Sequence, residues 1–190
     1  VYAFVKNNGG KVAVYKENLY KPMPGYRFIA SNTDRSRYYV GELNGKSSKQ
    51  AYMDALHISE SNIINQTFHN PIGKMNGQDI CIISLKEVSG NGLCCYRQVN
   101  DSDVLVLLEE QDYNEILDET LQRIRRDFNH ISGVFSINCV FRYLLFSQEH
   151  HMEDYLKTMS TLGDHAGLIG FGEHYNQQFV NQTMTCVVFE

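Results

Sequence analysis

No apolar run in this 190-residue chain approaches the roughly 20 residues needed to cross a bilayer, and no charged-then-apolar segment of the signal type opens it. The five cysteines are odd in number, with two adjacent at Cys94 and Cys95, and form neither a spaced disulfide framework nor a CxxC pair. A reducing, cytoplasmic setting is therefore expected. With only three prolines, 21% charged and 43% hydrophobic residues, the chain does not have the composition of a disordered one. Positive charge is scarce: the formal net charge of −5 argues against a general phosphate-backbone binder. The one basic cluster, Arg123, Arg125 and Arg126, follows Asp112, Glu115, Asp118 and Glu119 on an expected helix. Acidic residues first and basic residues last is the order that suits a solvated helix and its dipole. Nucleic acid is not expected as a partner.

What is present divides into two stretches. The first is strand-rich: YAFV at Tyr2–Val5, KVAVY at Lys11–Tyr15, YRFIA at Tyr26–Ala30 and RYYVGEL at Arg37–Leu43, separated by Asn-Asn-Gly-Gly, Pro-Met-Pro-Gly and Ser-Asn-Thr-Asp. After the Asn44-Gly45 turn, Ser47 or Ser48 is placed to cap a helix through Leu56. Residues 59–76 are polar, aperiodic and contain Pro71, which predicts a domain boundary near His69. The expected division is 1–69 and 70–190. In the second stretch, ICIISLKEV and LCCYRQV flank a Ser-Gly-Asn-Gly turn, and DVLVLLEE extends the sheet. Tyr113, Ile116, Leu117, Leu121, Ile124 and Phe128 recur at helical spacing, so Gln111–Asn129 is expected as an amphipathic helix. GVFSINCVF reads as a buried strand, Glu149–Leu162 as a further helix, and AGLIGFG and TMTCVVF as closing strands. Strands in runs, without regular βαβ alternation, predict an α+β fold. Its sheet should be mostly antiparallel or mixed, packed by a few amphipathic helices, with a smaller strand-rich N-terminal segment.

Polar residues gather between Phe135 and Thr183, where packing alone would call for apolar ones. Arg142 lies just beyond the expected strand end, and its planar fork suits a carboxylate, either Glu173 or the acid group of a ligand. A structural salt bridge is the bland alternative. Glu173 sits between Gly172 and His174 after an apolar strand, placed to meet an amine or Arg142. Asn181 and Thr183 are placed to hydrogen-bond a polar ligand, or to brace their own turn. Cys139 closes an apolar strand, which fits a pocket wall better than the nucleophile of a thiol-dependent enzyme. His150 and His151 are adjacent and no HxxxH spacing occurs, so no metal site is expected; His165 and His174 remain as a pair able to approach a cofactor from neighbouring loops.

In its Phe135–Arg142, Gly170–Glu173 and Asn181–Thr183 segments the chain resembles the FIST family, sensory domains of prokaryotic signal transduction and of some F-box proteins. The shared pattern is an apolar strand ending in Cys and Arg, a Gly-Phe-x-x-Gly-Glu-like turn, and an Asn-x-Thr turn entering the last strand. The middle element here is GFGEHYN, compressed and carrying His174. The resemblance extends from about Asn70 to Glu190 for the C-terminal FIST domain. YVGELNGKSSKQAYMDAL at Tyr39–Leu56 is similar to the end of the N-terminal one, with Ser47-Ser48 in place of a Pro-Ala step, so most of that domain is expected to be missing. The resemblance implies binding of an amino acid or related small metabolite and a signalling output domain or partner protein; from the residues themselves, binding is expected and not catalysis. The ligand-binding set is then Arg142, Glu173, Cys139, Gly172, His174, Asn181 and Thr183. Some relatives are haem-linked nitric oxide sensors, which makes haem the alternative, although none of the seven histidines sits in a recognisable axial-ligand motif.

Overall fold

A computed structural model describes residues 4–77 and 79–190. The fold is α+β, and it divides into two compact units that do not follow chain order: Val1–Leu19 with Asp112–Glu190, and Tyr20–Gln111. The segment around His69, where the sequence suggests a boundary, lies inside the second unit. There Val104–Glu110 pairs both with Tyr20–Asp34, before His69, and with Ile72–Asn76, after it, which ties the chain on both sides of His69 into one sheet.

In the Tyr20–Gln111 unit, one long strand, Tyr20–Asp34, organises the sheet. Its first part pairs with Val104–Glu110 and its second with Tyr39–Leu43, both antiparallel. The Pro-Met-Pro-Gly step predicted to separate two strands does not do so. A register shift between Pro22 and Arg27 accommodates the two prolines, which have no N–H to give a ladder, and Gly25 supplies the positive φ. Nor do residues 31–34 form a loop, since Ser31 and Thr33 pair with Glu42 and Val40. ICIISLKEV is likewise two strands, Asp79–Ile83 pairing with Ile72–Asn76 and Leu85–Ser89 with Gly92–Cys95. The expected helix is Ser48–Leu56; Ser47 Oγ accepts from the Gln50 amide, and His57 closes it in the left-handed region. Leu43, Tyr52, Ile63, Leu93, Leu105 and Leu107 are among the residues that fill its core.

In the other unit a four-stranded sheet has the order Val12–Asn18, Thr183–Phe189, Gly133–Cys139, His165–Gly170. The first two pairings are antiparallel; the last is parallel, so the chain must cross over between its strands. That crossover holds the helices Val140–Gln148 and Met152–Met159. The helix Tyr113–Asp127 is capped by Asp112, whose Oδ1 accepts from the Asn114 and Glu115 amides, and carries Arg125 and Arg126 in its last turn. It packs beside the first strand, where Tyr15 donates to Asp127 Oδ2 at 2.7 Å. A two-stranded hairpin, Glu173–Tyr175 and Gln178–Val180, lies near the other end of the sheet.

Two boundaries differ from expectation. The Gly133–Cys139 strand stops at Cys139, and Val140 and Phe141 are already helical. The expected Glu149–Leu162 helix starts only at Met152, because His150 takes a left-handed φ of 55° that ends the preceding helix. Of the expected strand at Tyr2–Val5, residues 2 and 3 lie outside the described residues, while Phe4 and Val5 belong to no strand.

Candidate functional site

Alternation along the strands decides which side chains meet. In the register, Glu17 lies opposite Met184, and Met184 opposite Asn138, so these three share one face of the sheet. Cys139 and Thr183, one residue along, belong to the other face. Cys139 is also the N-cap of the Val140–Gln148 helix, in extended conformation. The turn that follows puts Arg142 in the first helical turn, not beyond a strand end as expected. Arg142 is 1% exposed.

Its ion-pair partner is Glu17, from the far end of the chain, whose Oε1 accepts from Arg142 Nη2. The expected pairing with Glu173 is not the one formed. The guanidinium also faces two rings, with its carbon 4.6 Å from the Phe146 centroid and 5.5 Å from that of Tyr155. Even so, Arg142 Nε and Nη1 and Glu17 Oε2 are buried without hydrogen-bond partners among the described residues. A buried charged group left in this state loses the hydration it had in water, at a cost of about 1–3 kcal/mol or more.

Glu173, 2% exposed, opens the hairpin, and its Oε2 accepts from Thr183 Oγ1 at 3.2 Å. Burial pushes its carboxyl up to about 7, against the hydrogen bonds from Thr183, the Cys139 thiol and the Gly172 backbone and the attraction of Arg142. Burial, and then the nearby Glu173, raise the pKa of the Cys139 thiol, opposed by amide hydrogen bonds from Gln182, Phe141 and Arg142. Gly172 has a φ of 137°, and a Cβ there would come within 2.6 Å of the Phe179 ring, so the close approach of hairpin and turn requires glycine. Asn181 is buried, and its Oδ1 lies 3.5 Å from that same Cβ position. Gln182 takes a left-handed φ of 54°, turning the chain so that Thr183 enters the last strand.

The face that carries Glu17 holds a second polar group. Asn138 Nδ2 donates to the Tyr155 hydroxyl at 2.9 Å, Tyr155 donates to Ser136 Oγ at 3.4 Å, and Ser136 lies 2.9 Å from His165 Nε2. Burial lowers the His165 pKa, favouring the neutral ring. His174 is on the hairpin, 5.4 Å edge-on to Phe179, and lines a cavity of about 160 Å³ with Phe135, Ile137 and Thr185. The two histidines thus sit against opposite faces of the sheet and do not converge on one cofactor. Among the described residues, no group of three or more His, Cys, Asp or Glu is arranged to hold a metal ion.

The structure therefore brings Arg142, Cys139, Glu173, Thr183, Gly172 and Asn181 to one end of the sheet, while His174 lines a separate cavity with Phe135, Ile137 and Thr185. The sequence reading missed Glu17, Ser136, Asn138, Tyr155 and His165 as one polar group. A signal for Glu17 was available: Ala13, Tyr15 and Glu17 alternate on one strand, placing a carboxylate on the buried side.

The FIST C domain family model matches residues 49–176, about two-thirds of the chain. The chain belongs to the FIST family. FIST C domains are sensory domains generally linked to signal transduction, and the matched residues include Cys139, Arg142, Gly172 and Glu173 of the pattern noted in the sequence. No curated protein and no solved structure matches the chain.

Proposed function

We propose that this FIST domain senses a small zwitterionic metabolite of the amino-acid class at the Glu17, Arg142 and Glu173 cluster. One observation carries the reading: donors on Arg142 and an acceptor on Glu17 are buried together without partners. A ligand carboxylate answers the free guanidinium donors, and a ligand ammonium answers Glu17 and the ionised form of Glu173. Glu173 changes charge near neutrality, so binding an ammonium beside it draws its proton off. The described cavities do not open onto Arg142, and entry requires the hairpin that begins at Glu173 to move about Gly172. Cys139 acts as wall: a thiol with a raised pKa is the opposite of an activated nucleophile, and we favour binding over catalysis. The output is a signalling module or partner protein, in a cytoplasmic setting. No helix among the described residues is long and apolar enough to cross a membrane.

Haem is the poorer reading. The described cavities hold about 160 to 270 Å³, below the ~300–1,000 Å³ of drug-sized ligand sites, and haem is a large ligand. Nε2 of His165 is engaged by Ser136, and His151 packs between the Phe146 and Tyr113 rings.

The test is thermal unfolding of the full chain with each amino acid in turn. A ligand at ~100 times its Kd stabilises by about 2.7 kcal/mol, or roughly 5–11 °C for a chain of this size. Glu173→Gln keeps the shape and weakens that shift. If no amino acid raises Tm in the wild type, the assignment of the ligand class fails.

A further inference from the structure

A cavity of about 270 Å³ lies on the helix-covered face of the sheet, and the ionic cluster makes no use of it. Its floor is the hydrogen-bonded series Asn138, Tyr155, Ser136 and His165; its walls include Met152, Leu156 and Ile169. The space exists because Gly167 stands opposite Ser136 in the parallel pair. A Cβ at Gly167 would fall 2.6 Å from Ser136 Oγ, so any side chain there would press into the floor.

The direction of the hydrogen bonds can be followed from one end. The Asn138 amide donates to Tyr155 and the Tyr155 hydroxyl donates to Ser136. Ser136 is then left to donate to His165 Nε2, which puts the proton of the neutral imidazole on Nδ1. This accounts for every hydroxyl in the series and leaves one buried side-chain atom of the series without a partner among the described residues: Asn138 Oδ1, on a side chain that lines the cavity. Such an acceptor calls for a donor. No Lys, Arg, Asp or Glu lines the space, so a charged or zwitterionic guest would lose its hydration without a counter-charge. At the rim, Tyr143, Leu156, Leu168 and Ile169 are 39%, 46%, 47% and 42% exposed, which is apolar surface of the kind a hydrocarbon body covers.

We propose that this cavity is a second binding site, for a small neutral molecule with an apolar, ring-sized body and a hydroxyl group, the phenol and aromatic-alcohol class. The hydroxyl donates to Asn138, and the body lies between Leu156 and Ile169. The assignment does not rest on the ionic cluster, and the two are separable by experiment.

The probe is p-cresol, titrated into the full isotope-labelled chain while backbone amide resonances are followed. Saturable shifts are expected at residues 152–156 and 165–169. Toluene, which lacks only the hydroxyl, is expected to bind about two- to tenfold more weakly, since a net hydrogen bond contributes a factor in that range. Benzoate at pH 7 is expected not to bind. Leu156→Trp, a substitution at a half-exposed rim position, fills the mouth and abolishes binding with the unfolding midpoint nearly unchanged. Glu173→Gln leaves p-cresol binding intact even if amino-acid sensing fails. Absence of saturable shifts up to the solubility of p-cresol, equal binding of toluene, or undiminished binding by the folded Leu156→Trp chain would each overturn the proposal.

Discussion

Replacing Glu173 by Gln tests whether burial of its carboxyl governs the pH response of this domain. In the unfolded chain the group ionises near 4.5, and in the folded protein only near 7. Below pH 4.5 it is protonated in both states and costs nothing. Between 4.5 and 7 the unfolded chain releases a proton that the folded one retains, so stability falls as pH rises through this window and levels off above it. The displacement from 4.5 to about 7 corresponds to a full span of about 3 kcal/mol. Reorganisation around the ionised carboxylate lowers this, and we expect ~2 kcal/mol, or roughly 4–8 °C in Tm. The glutamine of the variant cannot ionise, yet it keeps the size of the side chain and an oxygen for Thr183. Urea unfolding of both proteins without ligand, from pH 4 to 8.5, should give stabilities that differ least at pH 4. The variant should then become the more stable of the two by about 2 kcal/mol at pH 8. Parallel pH profiles would refute the reasoning, because they would mean that Glu173 ionises alike in both states.

Two further outcomes follow from the same cluster. Arg142→Met leaves the Glu17 carboxylate buried without its cation and should cost about 3–5 kcal/mol in urea unfolding; adding Glu17→Gln to that variant should recover a large part of the loss, because the remaining group is then neutral. Cys139, whose thiol pKa is raised, should react with iodoacetamide at pH 7.5 far more slowly than the thiol of a free cysteine, by mass spectrometry of the intact protein, and Glu173→Gln should speed the reaction by removing a neighbouring negative charge.

Local patterning accounts for much of what was legible beforehand. The helix Tyr113–Asp127 follows from its apolar spacing, and Ser47, as a cap, announces Ser48–Leu56. The strand around Phe135 was legible from its apolar run, but its end was not. Val140 and Phe141 suit a strand by propensity, and the helix that they begin depends on the crossover required by parallel pairing with His165–Gly170. The prolines at 22 and 24 misled for a related reason: a turn and a bulge use the same residues, and only the partner strand Val104–Glu110 distinguishes them.

By itself, the sequence determined the α+β class, the capped helices and the collection of Cys139, Arg142, Glu173 and Thr183 into one region, since each depends on residues near one another in the chain or on the FIST pattern. The partner of Arg142 was decided by tertiary structure alone. Glu17 is 125 residues away, and it reaches the guanidinium because the first strand pairs with the last, which in turn pairs with Gly133–Cys139. The same register aligns Ser136 with Gly167 and so leaves a space beneath the helices that no local pattern encodes. Hydrophobic periodicity records which side of a strand is buried; which side chains meet there depends on strand order and register, and these are properties of the whole sheet.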